Sequence, residues 1–234
     1  MTSLQNAVVL VTGANGGLGT EFVRAALARG AAKVYATARA PREWGDERVV
    51  ELTLDVTDAA SVAAAAAAAP DVTVLVNNAG GLPATASMLD IEEADLRQTM
   101  EINFFAPVRM AQAFAPALVA AADGALIDIH SVASWYAFGG GYSASKAAFW
   151  SATNTLRLEL APRGVLVTGV HVGYVDTAMA AHADGEKMRP AELVAAVLDG
   201  VEAGAFEVVA DELSAAVKAG LSGPIAELYP ELAS

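Results

Sequence analysis

The chain has no cysteine. That excludes a disulfide framework and any thiolate-held zinc site. Basic residues are scarce: 14 Lys and Arg stand against 27 Asp and Glu, a formal net charge of −13. An acidic surface of this kind repels phosphate backbones and anionic membranes, so neither nucleic acid nor a membrane is expected as a partner. It leaves room for one local basic residue that reads a phosphate. No apolar run reaches the roughly 18–20 residues of a membrane span. Residues 1–6 are too short and polar for a signal peptide ahead of the first strand, so a soluble, cytoplasmic protein is expected. Histidine is also rare, at His130, His171 and His182. His130 and His171 read as packing residues at strand ends, and the spacing suggests no metal site.

What the chain does have is apolar residues, at 55%, with only 18% charged, enough for a large core and incompatible with wholesale disorder. Strand-like runs fall at 7–12, 33–38, 49–53, 72–77, 125–130, 165–171 and 207–210. Most are continuous in Val, Leu and Ile, the pattern of a parallel sheet covered on both faces. Helical stretches lie between them at 18–29, 58–69, 92–122, 142–161 and 190–203. The Ala-rich stretch 63–69 fits a crossover helix, because Ala is the best helix former. The alternation implies right-handed crossovers and an α/β fold: a Rossmann-type, doubly wound parallel sheet of about seven strands with helices on both faces. No Pro-, Gly- or Ser-rich linker divides residues 1–234, which read as a single domain. The role of the tail after Asp211 is not readable.

The first strand, Val8-Val9-Leu10-Val11-Thr12, runs into Gly13-Ala14-Asn15-Gly16-Gly17-Leu18-Gly19 and then a helix. Glycines here let the backbone turn tightly and approach a pyrophosphate seated at the positive helix end. In the first strand–helix unit of such a chain, this loop predicts dinucleotide binding. Arg39 lies 20 residues beyond Gly19, at the end of the second strand, where a residue meets the adenosine ribose. An acidic residue there would repel a 2′-phosphate. Here Ala38 is neutral and Arg39 can pair with one, with Arg42 as a helper, which favours NADP(H) over NAD(H).

Tyr142 and Lys146 are four apart at the start of a helix, hence on one face. An ammonium beside a phenol lowers the phenol's pKa toward working pH and makes it a usable general acid or base. Both follow Ser131-Val132-Ala133-Ser134 at a strand end, on the edge where open α/β sheets bind ligands. With these residues in place, the chain resembles the short-chain dehydrogenase/reductases from Val8 to about Thr177. The resemblance rests on Thr12-Gly13 with Gly17 and Gly19; Asp55-Val56; Asn77-Asn78-Ala79-Gly80; Asn103; Ser131; Tyr142 with Lys146; and Gly173 with Thr177, in that order.

The resemblance implies a role for each residue. Tyr142 would protonate a substrate carbonyl oxygen that Ser131 hydrogen-bonds, while hydride arrives from the nicotinamide. Lys146 would lower the Tyr142 pKa and bond the nicotinamide ribose, and Asn103 would hold a water that relays protons to Lys146. Asp55, beside Val56, would contact adenine. Asn78, Ala79 and Gly80 would line the cofactor's path, with Asn15 and Leu18 in the glycine loop. Gly173 and Val175 would lie at the nicotinamide, and Thr177 would bond its carboxamide. Three departures stand out. Ser131 and Tyr142 are only 11 apart, so the loop is tight and Ser134 is a fallback for Ser131. Val172 stands where the family's usual Pro precedes Gly173, which loosens that turn. Gly16 replaces a basic residue found in some NADP-preferring members.

The aromatics Trp135, Tyr136 and Phe138 are expected to line a substrate pocket with Tyr174, Met179 and Leu82. No Arg or Lys is placed to bind a substrate carboxylate, so a hydrophobic ketone or aldehyde, or its alcohol, is the expected small-molecule partner. Residues 174–190, with His182, are expected to form a lid. Helices 104–122 and 142–161 are apolar on more than one side and pair across subunits in the family, so a homodimer or homotetramer is expected. Three other readings stay open. One is a cofactor-binding sensor or scaffold with little turnover, which should lack part of Asn103, Ser131, Tyr142 and Lys146. Another is an NAD-dependent alcohol dehydrogenase of the same fold. The third is different chemistry on this fold: an enoyl reductase usually spaces Tyr and Lys more widely, and an extended epimerase needs a larger C-terminal region.

Overall fold

A computed structural model describes residues 2–233. The apolar runs become β1 (Val8–Thr12), β2 (Lys33–Ala38), β3 (Val49–Thr53), β4 (Val74–Asn77), β5 (Ala125–Ile129), β6 (Leu166–His171) and β7 (Glu207–Val209). All pair in parallel in one sheet of order β3-β2-β1-β4-β5-β6-β7. β4 and β5 are buried at every residue, as continuous apolar runs require. Strand ends differ from the sequence reading by one or two residues.

Alternate side chains of each strand serve different layers. Val9 and Val11 of β1 face α1 (Gly17–Ala28) and α6 (Pro190–Glu202) through Phe22, Val23, Leu193 and Val197. Leu10 faces the other layer, where α2 (Ala59–Ala68) and a long helical segment contribute Val62, Met110, Phe114 and Leu118. The chain leaves β1 and β4 toward opposite layers, and this reversal of strand order opens a crevice at their carboxyl ends.

The single helix expected over 92–122 is three pieces: α3 (Glu93–Met100), a wide π-turn (Glu101–Phe105) and α4 (Ala106–Ala120). Ala106 donates to the Glu101 carbonyl five residues back. Pro107 has no N–H, so it caps neither the Asn103 carbonyl four residues back nor the Ile102 carbonyl five back. After α5 (Gly141–Leu160), β6, α6 and β7, the tail folds as α7 (Glu212–Gly220) and α8 (Ile225–Leu228). Asp211 caps α7 by accepting the Ser214 N–H at 2.7 Å. Among the described residues no helix is long and apolar enough to cross a membrane.

Candidate active site

The crevice is a cleft of about 1160 Å³. That exceeds the ~300–1,000 Å³ of a typical single-ligand pocket and leaves room for two reactants. Apart from Arg42, every residue expected to meet a cofactor lines it, from Gly13 and Asn15 through Arg39, Asp55 and Asn78 to Gly173, Val175 and Thr177.

One end is built of main chain. Gly13 has φ +66°, which favours glycine. A Cβ on Gly19 would sit 2.2 Å from the Gly13 carbonyl oxygen, and one on Gly17 would sit 2.8 Å from Thr177 Cγ2. The backbone cradle therefore excludes a side chain at Gly19, where the clash is with main chain, and favours glycine at Gly13 and Gly17. No side chain caps the start of α1, so its first N–H groups face the cleft as an anion site fit for a pyrophosphate. The Thr12 hydroxyl accepts the N–H groups of Asn78 at 2.9 Å and Ala79 at 3.0 Å. Asn78 Nδ2 donates to the Thr12 carbonyl at 2.8 Å, so its amide splices β4 to β1. Asn15 Nδ2 donates to the Ala40 carbonyl at 2.8 Å and ties the glycine loop to the end of β2.

Arg39 lines the cleft near Asp55. Asp55 accepts the Thr57 N–H at 2.9 Å and hydroxyl at 2.7 Å, and these bonds, then the charge of Arg39, hold its carboxyl below the usual range. Arg42, the expected helper, does not line the cleft. Its guanidinium stacks on Trp44 at 4.3 Å and donates to Thr20, away from the cleft lining.

At the other end, Ser131, Tyr142 and Lys146 line the cleft together, and Ser134 does not. The tight loop places Ser131 at the end of β5 and turns Ser134 into the interior, 5% exposed. Lys146 is buried, and its Nζ donates to the Ile129 carbonyl at 2.8 Å. Burial brings this ammonium down to about 8. The expected lowering of the Tyr142 phenol by Lys146 is not met here. Nζ is 5.8 Å from the ring centre and bonds elsewhere, and burial pushes the phenol up to about 12 against the lowering effect of its hydrogen bond with Ser131. Asn103 does not line the cleft. Its Oδ1 accepts the Gly81 N–H at 2.9 Å, and its Nδ2 donates to the Gly81 carbonyl at 2.8 Å and to Ser145 Oγ at 3.1 Å. The amide is thus committed to the Gly81 loop and Ser145 rather than to a relay water.

Phe138, Tyr174, Met179, Leu82 and His182 line the cleft. Phe138 and Tyr174 meet edge to face at 6.2 Å. Trp135 and Tyr136 do not line it, which corrects the sequence reading. The 3-10 turn Val132–Ser134 aims Trp135 inward, where it stacks on His171 at 3.7 Å. Tyr136 stacks on Tyr229 of the tail at 4.8 Å. Segment 174–190 folds back on itself, with Met188 N–H donating to Tyr174 O and Asp176 N–H to Met188 O, each at 2.9 Å.

Sequence reasoning missed several contributors. Asp128 is fully buried under the site, accepting Asn77 Nδ2 at 2.9 Å and the Thr153 hydroxyl at 2.7 Å. Asp211 accepts the Gly173 N–H at 2.5 Å, and Tyr229 Oη accepts the Ala137 N–H at 3.0 Å. These partners lie 38 and 92 residues apart, so no local spacing signals them.

A family model described as short chain dehydrogenase matches residues 7–187. The short-chain dehydrogenase ptmH of Penicillium ochrochloron is 39% identical over 192 residues, covering 74% of this chain and 68% of that one. An NADPH-dependent 1-acyldihydroxyacetone phosphate reductase of Schizosaccharomyces pombe is 37% identical over 180 residues, covering 72% and 60%. A solved short chain dehydrogenase from Burkholderia cenocepacia J2315, in complex with NADP, superposes over 100% of both chains with a TM-score of 0.92 and 36% identity.

Proposed function

The chain belongs to the short-chain dehydrogenase/reductase family, and on that premise we propose that it is an NADP(H)-dependent oxidoreductase that interconverts a hydrophobic ketone or aldehyde with its alcohol. The observation that carries this reading is the convergence of Ser131, Tyr142 and Lys146 on the cleft whose other end is the glycine cradle. NADP(H) fits the neutral Ala38 beside Arg39, and NADP or NADPH figures in the similar Burkholderia and Schizosaccharomyces proteins. Bound there, the nicotinamide supplies or accepts the hydride.

The chain's own groups do the rest. A phenol near 12 keeps its proton at neutral pH, so Tyr142 Oη is a proton donor to a carbonyl oxygen, the direction of reduction. Ser131 Oγ shares the developing negative charge on that oxygen. Lys146 Nζ, near 8, is still an ammonium at neutral pH; it holds the ribose, returns a proton to the tyrosinate left on Tyr142 and is recharged from solvent. Asn103 fixes the Gly81 loop over this group.

Leu82, Phe138, Tyr174 and Met179 supply an apolar wall, and the only Lys or Arg side chains lining the cleft among the described residues are Lys146 and Arg39. That supports an uncharged, hydrophobic substrate under a lid formed by 174–190. The exposed Phe105 and Leu158 on the helices expected to pair across subunits support a homo-oligomer.

The test is binding of NADPH and NADH to the purified protein, followed by loss of NADPH absorbance with aryl ketones, aldehydes and diketones. NADPH binding tighter than NADH, with turnover on at least one carbonyl, is expected. Tight binding with no carbonyl turned over would overturn the reductase reading in favour of a sensor.

A further inference from the structure

We propose that Asp211 is the positioning residue for the turn after β6, replacing with a carboxylate the restraint that proline gives this turn in the family; the inference rests on the NADP(H) reading above. One peptide unit, between Val172 and Gly173, is held at both edges. Its carbonyl accepts the Val132 N–H at 2.9 Å and the Ser131 hydroxyl at 3.4 Å. Its N–H donates to Asp211 Oδ2 at 2.5 Å. A carboxylate acceptor makes this bond stronger than a neutral one would.

The carboxylate is itself anchored. Oδ1 accepts the Ser214 N–H at 2.7 Å and fixes Asp211 at the head of α7. Ser214 is fully buried, and Val217 packs with Val132 and Trp135. A Cβ on Gly173 would lie 3.2 Å from Asp211 Oδ2 and 3.3 Å from Leu213, so the same residues close the space behind the turn. Gly173 lines the cleft and Asp211 does not. Asp211 therefore acts through the peptide plane that faces the nicotinamide end and on which Ser131 leans.

Three readouts separate positioning from helix capping: exchange of the Gly173 amide with solvent, binding of NADPH, and binding of adenosine 2′,5′-bisphosphate, which carries the adenosine end alone. Asp211→Ala is expected to speed Gly173 exchange and weaken NADPH about tenfold, while the bisphosphate changes less than about twofold. Asp211→Asn keeps a capping side chain without the charge and should show the same pattern more weakly. Val172→Pro added to Asp211→Ala should recover most of the NADPH affinity. Equal weakening of both ligands, or unchanged NADPH binding with unchanged Gly173 exchange, would overturn the proposal. Failure of the unmutated protein to bind either ligand would sink the cofactor reading instead, and Gly173 exchange would still decide whether Asp211 holds the turn.

Discussion

Over β1, β2 and β4 the phosphate end of the cleft wall is main chain, the Gly13 turn and the open start of α1, tied from behind by the Asn78 amide. Over β5 and β6 the wall is side chains, with Ser131, Tyr142, Lys146, Phe138 and Tyr174 held from behind by Asp128, Asp211 and Tyr229. A backbone wall suits a ligand part that never varies, and it fails when a Cβ intrudes. A side-chain wall can be re-cut for another substrate, but it depends on partners far away in the chain.

The largest effect expected separates the halves outright. Tyr142→Phe should cut turnover by about 10³-fold or more while leaving NADPH affinity within about twofold. Stopped-turnover and equilibrium-binding measurements on one preparation decide it, and normal turnover would remove Tyr142 from the chemistry. The converse change is Gly19→Ala, whose Cβ meets the Gly13 carbonyl at 2.2 Å. It should weaken NADPH about fiftyfold. Gly16→Ala, with 3.4 Å of room, is the control and should stay within about twofold. Equal behaviour of the two alanines would mean that the cradle is not the binding element.

The same division explains what could be read in the sequence. The glycine loop, Arg39 and the Tyr142–Lys146 pair are legible because each works through neighbours within a turn or a loop. The Val/Leu/Ile runs located all seven strands for the same reason. The π-turn at Asn103 stayed hidden because an Ala-rich helix keeps its apolar period through it. Trp135 and Tyr136 were misplaced because ring partners from elsewhere, His171 and Tyr229, decide where they point. The tail looked featureless, yet Asp211 and Tyr229 brace two cleft loops from it.

Arg39→Ala sharpens the comparison from inside the backbone half, where it is the one side chain asked to choose between ligands. It should weaken NADPH about twentyfold and NADH less than about twofold. Equal losses in a titration of both would move the phosphate reader to another residue.

The smallest expected effect tests whether the side-chain half also fails first in acid. Burial pushes the His171 imidazole down to about 3 and His130 well below its usual range, and the two rings stack at 5.0 Å behind β5 and β6. A folded-state pKa below the unfolded one means that the unfolded chain takes up more protons, so stability falls as pH drops below about 6.5. Asp128 opposes this. Burial raises its carboxyl from 3.8 to about 6, so the folded state binds that proton first and gains as pH falls through 6. Two histidines against one carboxyl leave a net loss of about 1 kcal/mol between pH 6.5 and 5.5. Urea unfolding at the two pH values measures it, and equal stability would sink it. Asp128→Asn removes the opposing group and should enlarge the drop. Hydrogen exchange should then rise at β5 and β6 before β1–β3, because the stacked histidines and the buried aspartate lie under the reacting half of the sheet.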